Sequence, residues 1–389
     1  MQRRISSRGF SIPASQHTEA NRMKHETVFI PSNTIPAWGS YITADIKEKN
    51  VLIHGVTIRI NASEISGLTS GTARYTPALF WIARLEITIN NVVIDTVYGN
   101  QQFLLNQFFN EDLKREYINN GMGDYRSVAE RQALAATSND YYIPLWDFFR
   151  QTHMPFISAK DDVQLRIYFD TAANNMVATT GAVGTMSSTL NSCQLLVSLS
   201  RLSAPTVASI RQELGRKPLD YQFTELRIGT YTVAAGSTNT SIILSSLVGP
   251  VSFLYFVVRP TGAVGDNYFK YTEIKDFAIL DSGSTNIVGG QAIPSSLALT
   301  LYNRDWLSSS FTAETPSNFV YIYSFGASPS QTMWTGKMYQ HHNFIGSEQL
   351  QINFKSALTS SVQVDIYAQV NAYIQSSAST VKKISINSL

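Results

Sequence analysis

From Thr27 onward the chain runs in short stretches where apolar and polar residues alternate, and this two-residue period constrains it more than any other feature. Successive side chains of a strand point to opposite faces, so alternation marks a sheet with one face buried. Val56, Ile58 and Ile60 alternate with Thr57 and Arg59. Leu85, Ile87 and Ile89 alternate with Glu86, Thr88 and Asn90. Asn90-Asn91 predicts a hairpin turn, because asparagine tolerates positive φ, and 92–98 would be the returning strand. Further strands are predicted at 141–149, 163–169 and 194–199. Leu104, Leu105, Phe108, Phe109, Leu113 and Tyr117 instead follow the spacing of a helix face, and 126–136 predicts a second, shorter helix. The uncharged stretch 171–192 reads as a long surface loop.

At 211–218 the composition turns charged and turn-forming, and we place a boundary there. The pattern then begins again, with strands predicted at 223–232, 240–247, 251–258, 273–280, 297–301, 318–325, 349–354 and 362–374. A helical or irregular stretch around Trp306 interrupts this second set, as the helices interrupt the first. Two halves of about 180 residues, each with about eight short strands, predict an all-β protein of two antiparallel sandwiches or barrels. Eight is the jelly-roll number, although strand count alone does not separate jelly rolls from other Greek-key sandwiches.

Composition narrows the function classes. Hydrophobic residues make up 44% of the 389, enough for large cores. Charged residues are only 15%, so the surface must be covered by uncharged polar side chains or by other chains. A net charge of +2 excludes a nucleic-acid-coating protein, and the single Cys193 excludes a disulfide framework or a Cys-rich zinc site. No apolar stretch follows the basic start, so no signal peptide is expected. Residues 228–258 carry no charge, but Gly249-Pro250 interrupts them, and two strands joined by a Gly-Pro turn account for them better than a membrane helix. Asn61-Ala-Ser63 and Asn239-Thr-Ser241 fit the glycosylation pattern but are expected to be idle without secretion. Residues 1–25 form a basic arm, with Arg3, Arg4, Arg8, Arg22 and Lys24 against Glu19 alone. Such a segment is too polar to pack on itself and is expected either to stay flexible or to order against a neighbour or an anionic surface.

Two runs carry a family resemblance. The first is Tyr142-Ile143-Pro144-Leu145-Trp146-Asp147-Phe148-Phe149, followed by Met154-Pro155-Phe156 and Val163-Gln164-Leu165-Arg166-Ile167. The second is Phe319-Val320-Tyr321-Ile322-Tyr323-Ser324-Phe325, followed by Ser328-Pro329, Thr335-Gly336, Asn343-Phe344 and Leu350-Gln351-Ile352. One lies in each half, in order, and together they resemble the double jelly-roll major capsid proteins of icosahedral double-stranded DNA viruses. The family's Arg/Asn-rich loop after the first run is replaced here by Arg150-Gln151-Thr152-His153. The resemblance implies two consecutive eight-stranded antiparallel jelly rolls with short helical insertions, the first over 26–210 and the second over 211–389. It also implies a homotrimeric, pseudo-hexagonal capsomer that tiles a virion shell. Its partners would be neighbouring capsomers, minor capsid or penton proteins and an internal lipid membrane, with no sequence-specific nucleic acid. On this reading the arm residues Arg3, Arg4, Arg8, Arg22 and Lys24 contact the inner face. No enzymatic activity, cofactor or metal is expected.

Two other readings compete. A jelly roll also suits an attachment or carbohydrate-binding protein, because function on this architecture lives in loops and interfaces. Asp281-Ser282-Gly283-Ser284, with Ile345-Gly346 downstream, looks like the turn of an aspartic protease. That chemistry needs two carboxylates sharing one proton, so a single Asp281 would require a dimer; an ordinary Asp/Gly turn is the simpler reading. The six histidines show no zinc spacing. The scattered tryptophans predict core or interface anchors, and Cys193 an inert strand residue.

Overall fold

The computed structural model describes residues 24–67, 73–109, 120–123, 128–145, 147–151, 156–158, 162–178, 185–288, 290–298, 319–325, 341–376 and 381–385. Strands β1 (Lys24–Pro31), β2 (Tyr41–Ile46), β3 (Val51–Ala62), β4 (Ala73–Tyr75), β5 (Ile82–Ile89) and β6 (Val92–Val97) come first. They are followed by β7 (Asn139–Pro144), β8 (Phe156–Ser158), β9 (Val163–Phe169), β10 (Met176–Ala178) and β11 (Leu190–Arg201). The second half has β12 (Leu219–Val233), β13 (Asn239–Ile243), β14 (Gly249–Pro260), β15 (Ile274–Leu280) and β16 (Ile293–Pro294). It ends with β17 (Val320–Ser324), β18 (His342–Phe344), β19 (Gln349–Phe354), β20 (Val362–Ser376) and β21 (Val381–Ser385).

One sheet of the first half has the order β1-β11-β3-β7, with β8 also on β3, and the other has the order β2-β9-β5-β6. The second half repeats this strand for strand, as β12-β20-β14-β17 with β18 on β14, and β13-β19-β15-β16. Within each half the chain crosses between two facing sheets, which is the jelly-roll winding. In both halves the strand beside the third is broken in two. β7 pairs with 57–62 and β8 continues along 51–53 of the same strand. β17 pairs with 253–257 and β18 continues along 249–251.

The alternation behaves as expected. Ile58 and Ile60 of β3 are buried with Ile87 and Ile89 of β5 in one core, while Thr57 and Arg59 face outward, where Arg59 pairs with Asp140 at 2.6 Å. Asn90 and Asn91 have φ of 50° and 65° and link Ile89 to its partner Val92, so they are the two-residue turn. Trp81 is a core anchor, packed on Tyr141, Tyr75 and Trp38, with its indole N–H donated to the Thr76 carbonyl at 3.0 Å. Trp146, Trp306, Trp334 and the helical positions Leu113 and Tyr117 lie outside the described residues.

Five expectations are corrected. The strand predicted over 141–149 ends at Pro144, and Phe148–Gln151 is a turn of helix. Asp147 holds that turn, accepting the Arg150 N–H on its carbonyl and, at 3.2 Å, on its carboxylate. The loop predicted over 171–192 contains the helix Ala172–Asn175 and β10, and β11 begins within it. The charged stretch at 211–218, expected to be turn-forming, is largely the end of a helix, Ala204–Arg216, capped by Ser203 and started by Pro205. Leu297, predicted to open a strand over 297–301, instead ends the short helix Ser295–Leu297, and 299–301 lie outside the described residues. Gly249-Pro250 is not a turn; both residues lie in β14, paired with Phe344 and Asn343, and the strand change is made by the 3₁₀ turn Ser245–Leu247.

β14 also explains the charge-free run. Its Val251, Leu254, Phe256 and Val258 line the second core, while Phe253, Tyr255 and Val257 pack on Leu104 and Leu105 of the first half. The register shift between Val251 and Phe253 moves the inward phase by one residue. A strand buried on both faces reads as continuous apolar sequence. Among the described residues no helix is long and apolar enough to cross a membrane.

Candidate functional site: the seam between the rolls

The two rolls meet along a buried seam whose parts come from widely separated positions. The helix Gly99–Phe109 follows β6 and lays Leu104 and Leu105 on the outer face of β14. Asn100 at its start donates to both Tyr268 and Tyr367 hydroxyls, at 2.8 and 2.9 Å. Gly99 is required there, because a Cβ would lie 1.9 Å from the Leu79 carbonyl oxygen. Arg259 and Asp365 form a buried ion pair at 2.6 Å on the same face, with Gln363 and Thr230 satisfying the second carboxylate oxygen.

The first family-like run supplies a wedge. Phe148 is fully buried and meets Phe223 edge-on at 5.3 Å and 90°, with Tyr221 behind it. Its own N–H is donated to Asp95 Oδ2 at 2.9 Å. Arg150 leaves the wedge across β3, and Gly55 makes room, since a Cβ there would meet its Nε at 2.7 Å. Replacing Phe148 by alanine is expected to cost about 3–5 kcal/mol, as for other buried phenylalanines. Chemical denaturation would measure it, and a loss below ~1 kcal/mol would mean that the wedge does not hold the seam.

β21 closes the seam from the other side. It pairs with 372–376 of β20, and Val381 joins the first core together with Ala372 and Ile374. Lys383 donates to the Ile94 carbonyl at 2.8 Å and pairs with Glu225 at 3.2 Å. Two buried carboxyls lie nearby. Burial pushes Asp95 up to about 6, against the pull of Lys383 and the Phe148 N–H. Burial pushes Asp147 up to about 7, with repulsion from Asp95 adding to it and Arg150 opposing it. Asp95, Asn100, Glu225 and Lys383 belong to no motif in the sequence. Asp147 stood inside a recognised run, but nothing in the spacing of 95, 147, 225 and 383 brings these groups together.

The other candidates are placed as follows. Arg3, Arg4, Arg8 and Arg22 lie outside the described residues; Lys24 opens β1, opposite Arg201, at the edge of its sheet. Asp281 Oδ1 accepts the Gly283 and Thr285 N–H groups at 2.9 and 2.8 Å, and Ser284 has a φ of 61°. Its carboxylate therefore holds a turn. His54 bonds Ser200 at 2.8 Å, and His342 lies among Phe325 and Phe344. Cys193 is buried, which pushes its thiol up to about 12. Among the described residues no three His, Cys, Asp or Glu side chains are grouped to hold a metal.

Two rolls of matching strand order, docked side by side in one chain, define a double jelly roll. Solved structures share it over nearly their full length. The chain is similar to the capsid protein of the PBCV-1 virus, with a TM-score of 0.73 and 17% identity over 93% of this chain and 97% of that one. It is similar to the Faustovirus major capsid protein, with a TM-score of 0.70 and 11% identity over 95% and 93%. The mavirus major capsid protein follows the same fold, with a TM-score of 0.56 and 11% identity over 96% and 93%. No protein-family model and no curated protein matches the sequence.

Proposed function

We propose that the chain is a major capsid protein that assembles as a homotrimer and tiles an icosahedral virion shell. The observation that carries this reading is the duplication: two jelly rolls of the same winding, joined by a buried seam into one block. A threefold arrangement of such blocks presents six similar sandwiches, a pseudo-hexagonal outline that packs into a shell. The low charge and abundant aromatic residues suit extensive subunit contacts. The solved structures that share the fold are themselves capsid proteins, which supports the same role here.

Light scattering on the purified protein tests this. The expected mass is about 130 kDa, three times the 43.2 kDa chain, with hexagonal particles in negative stain. A monomer or dimer without tiling would overturn the capsomer reading. The arm carrying Arg3, Arg4, Arg8 and Arg22, which leads into β1 at Lys24, is proposed to face inward, toward lipid or a neighbouring capsomer. Deleting residues 2–23, which leaves β1 whole, is expected to abolish shell assembly while the trimer persists. Normal shells from the deleted protein would remove the arm from assembly.

A further inference from the structure

We propose that a cleft at the seam binds a neutral sugar. The cleft has a volume of about 230 Å³ and is complete only when both rolls are docked. The first roll supplies Phe80, Tyr98, Asn100, Asp170 and Asn174, and the β14–β15 connection supplies Val264 and Tyr268. Pockets for drug-sized ligands run to ~300–1,000 Å³, so this one suits a short, compact ligand.

The chemistry of the wall selects the class. Asp170 is held as an acceptor by the Asn174 amide, at 3.0 and 3.1 Å, and by the Thr171 N–H at 2.7 Å. The Asn174 carbonyl oxygen and the Tyr98 hydroxyl have no hydrogen-bond partner among the described residues, so both remain for a ligand. Phe80 and Tyr268 meet edge to face at 5.6 Å and form an aromatic wall beside these groups. A carboxylate, an amide oxygen and a hydroxyl next to aromatic rings match the alternating hydroxyl and C–H surfaces of a pyranose. An anion is disfavoured, because the wall contains a carboxylate and no lysine or arginine. A cation is disfavoured, because Arg259 already stacks on Tyr268 at 4.3 Å. A lipid chain would leave the Asp170 and Asn174 polar groups desolvated.

The full chain, in whatever oligomeric state it purifies, would be probed by saturation-transfer NMR. The panel is glucose, galactose, mannose, fucose and N-acetylglucosamine, with sialic acid as the charged comparison. At least one neutral sugar is expected to bind in the millimolar range. Val264 is half exposed at the mouth, so Val264→Trp fills the cleft from the solvent side. It is expected to weaken binding at least tenfold with melting temperature and mass unchanged. Should that variant fail to fold, Tyr98→Phe removes only one hydroxyl and is expected to weaken binding several-fold. Absence of signal from every neutral sugar, binding of sialic acid alone, or binding that survives a folded variant unchanged would each overturn the assignment. Capsid assembly is not read in this experiment, so the two proposals fail separately.

Discussion

Removing residues 377–389, and with them β21, is expected to lower the melting temperature by roughly 5–10 °C. It is also expected to split one thermal transition into two. Val381 leaves the first core, and the edge of β20 at 372–376 loses its ladder partner. Burying a valine contributes about 1.5–3 kcal/mol, and each lost hydrogen bond about 0.5–1.5 kcal/mol more. Lys383 also leaves Glu225 and the neighbourhood of Asp95, so Asp95 loses a nearby cation. Calorimetry would read the effect, with dye binding reporting the exposed face of Ile374. A single transition at the original temperature would mean that the seam does not depend on β21.

Stability is expected to fall as pH rises from about 4 to about 7, and Asp147→Asn should remove much of that slope. Asp95 and Asp147 both have folded values raised above the ordinary carboxylate range, chiefly by burial. An acid raised on folding favours the folded state fully below its unfolded value, and the advantage is lost as pH rises through the folded value. The window therefore opens near 4 and closes near 7, the higher of the two values. Asp147 alone corresponds to an effect on the order of 4 kcal/mol, at about 1.36 kcal/mol per pH unit. The amide introduced by Asp147→Asn keeps an oxygen for the Arg150 N–H without carrying charge. The variant should therefore gain a few kcal/mol at pH 8 and little at pH 4. Asp45 and Asp140 act in the opposite sense, since hydrogen bonds lower both; their contribution is lost only below about pH 4. Urea melts of both proteins across pH 4–8 would decide, and parallel curves would count against a buried acid pair at the seam.

The sequence was most legible where one face of a strand is wet. β9, 56–62 of β3 and 85–89 of β5 alternate cleanly, and the Asn90-Asn91 turn could be named in advance because two adjacent positive φ angles favour asparagine. It was least legible at the seam. β14 has two dry faces, so its period vanishes and its bulge at Ser252 hides the register. Phe148 and Phe149 looked like the end of a strand because aromatic residues favour strands, and only the preceding Pro144 and Asp147 signalled the break. The helix Ala204–Arg216 had a readable start in Ser203-Ala204-Pro205, which the charged residues near its end obscured. Asp95, Asp147, Glu225 and Lys383 come from four distant segments and meet only through tertiary packing.

The seam also imposes an order on biosynthesis. The first roll leaves the ribosome with Leu104, Leu105 and Phe148 still uncovered, because their partners on β12, β14 and β20 are not yet made. β20 and β21 follow every other strand of the two rolls, so the apolar face closes last. Until then a nascent chain presents a surface that chaperones and proteases recognise. A chain cut short by a nonsense codon or a nick before Val362 keeps that surface exposed. Because β20 and β21 come after the strands they join, a fragment that lacks them cannot bury the seam.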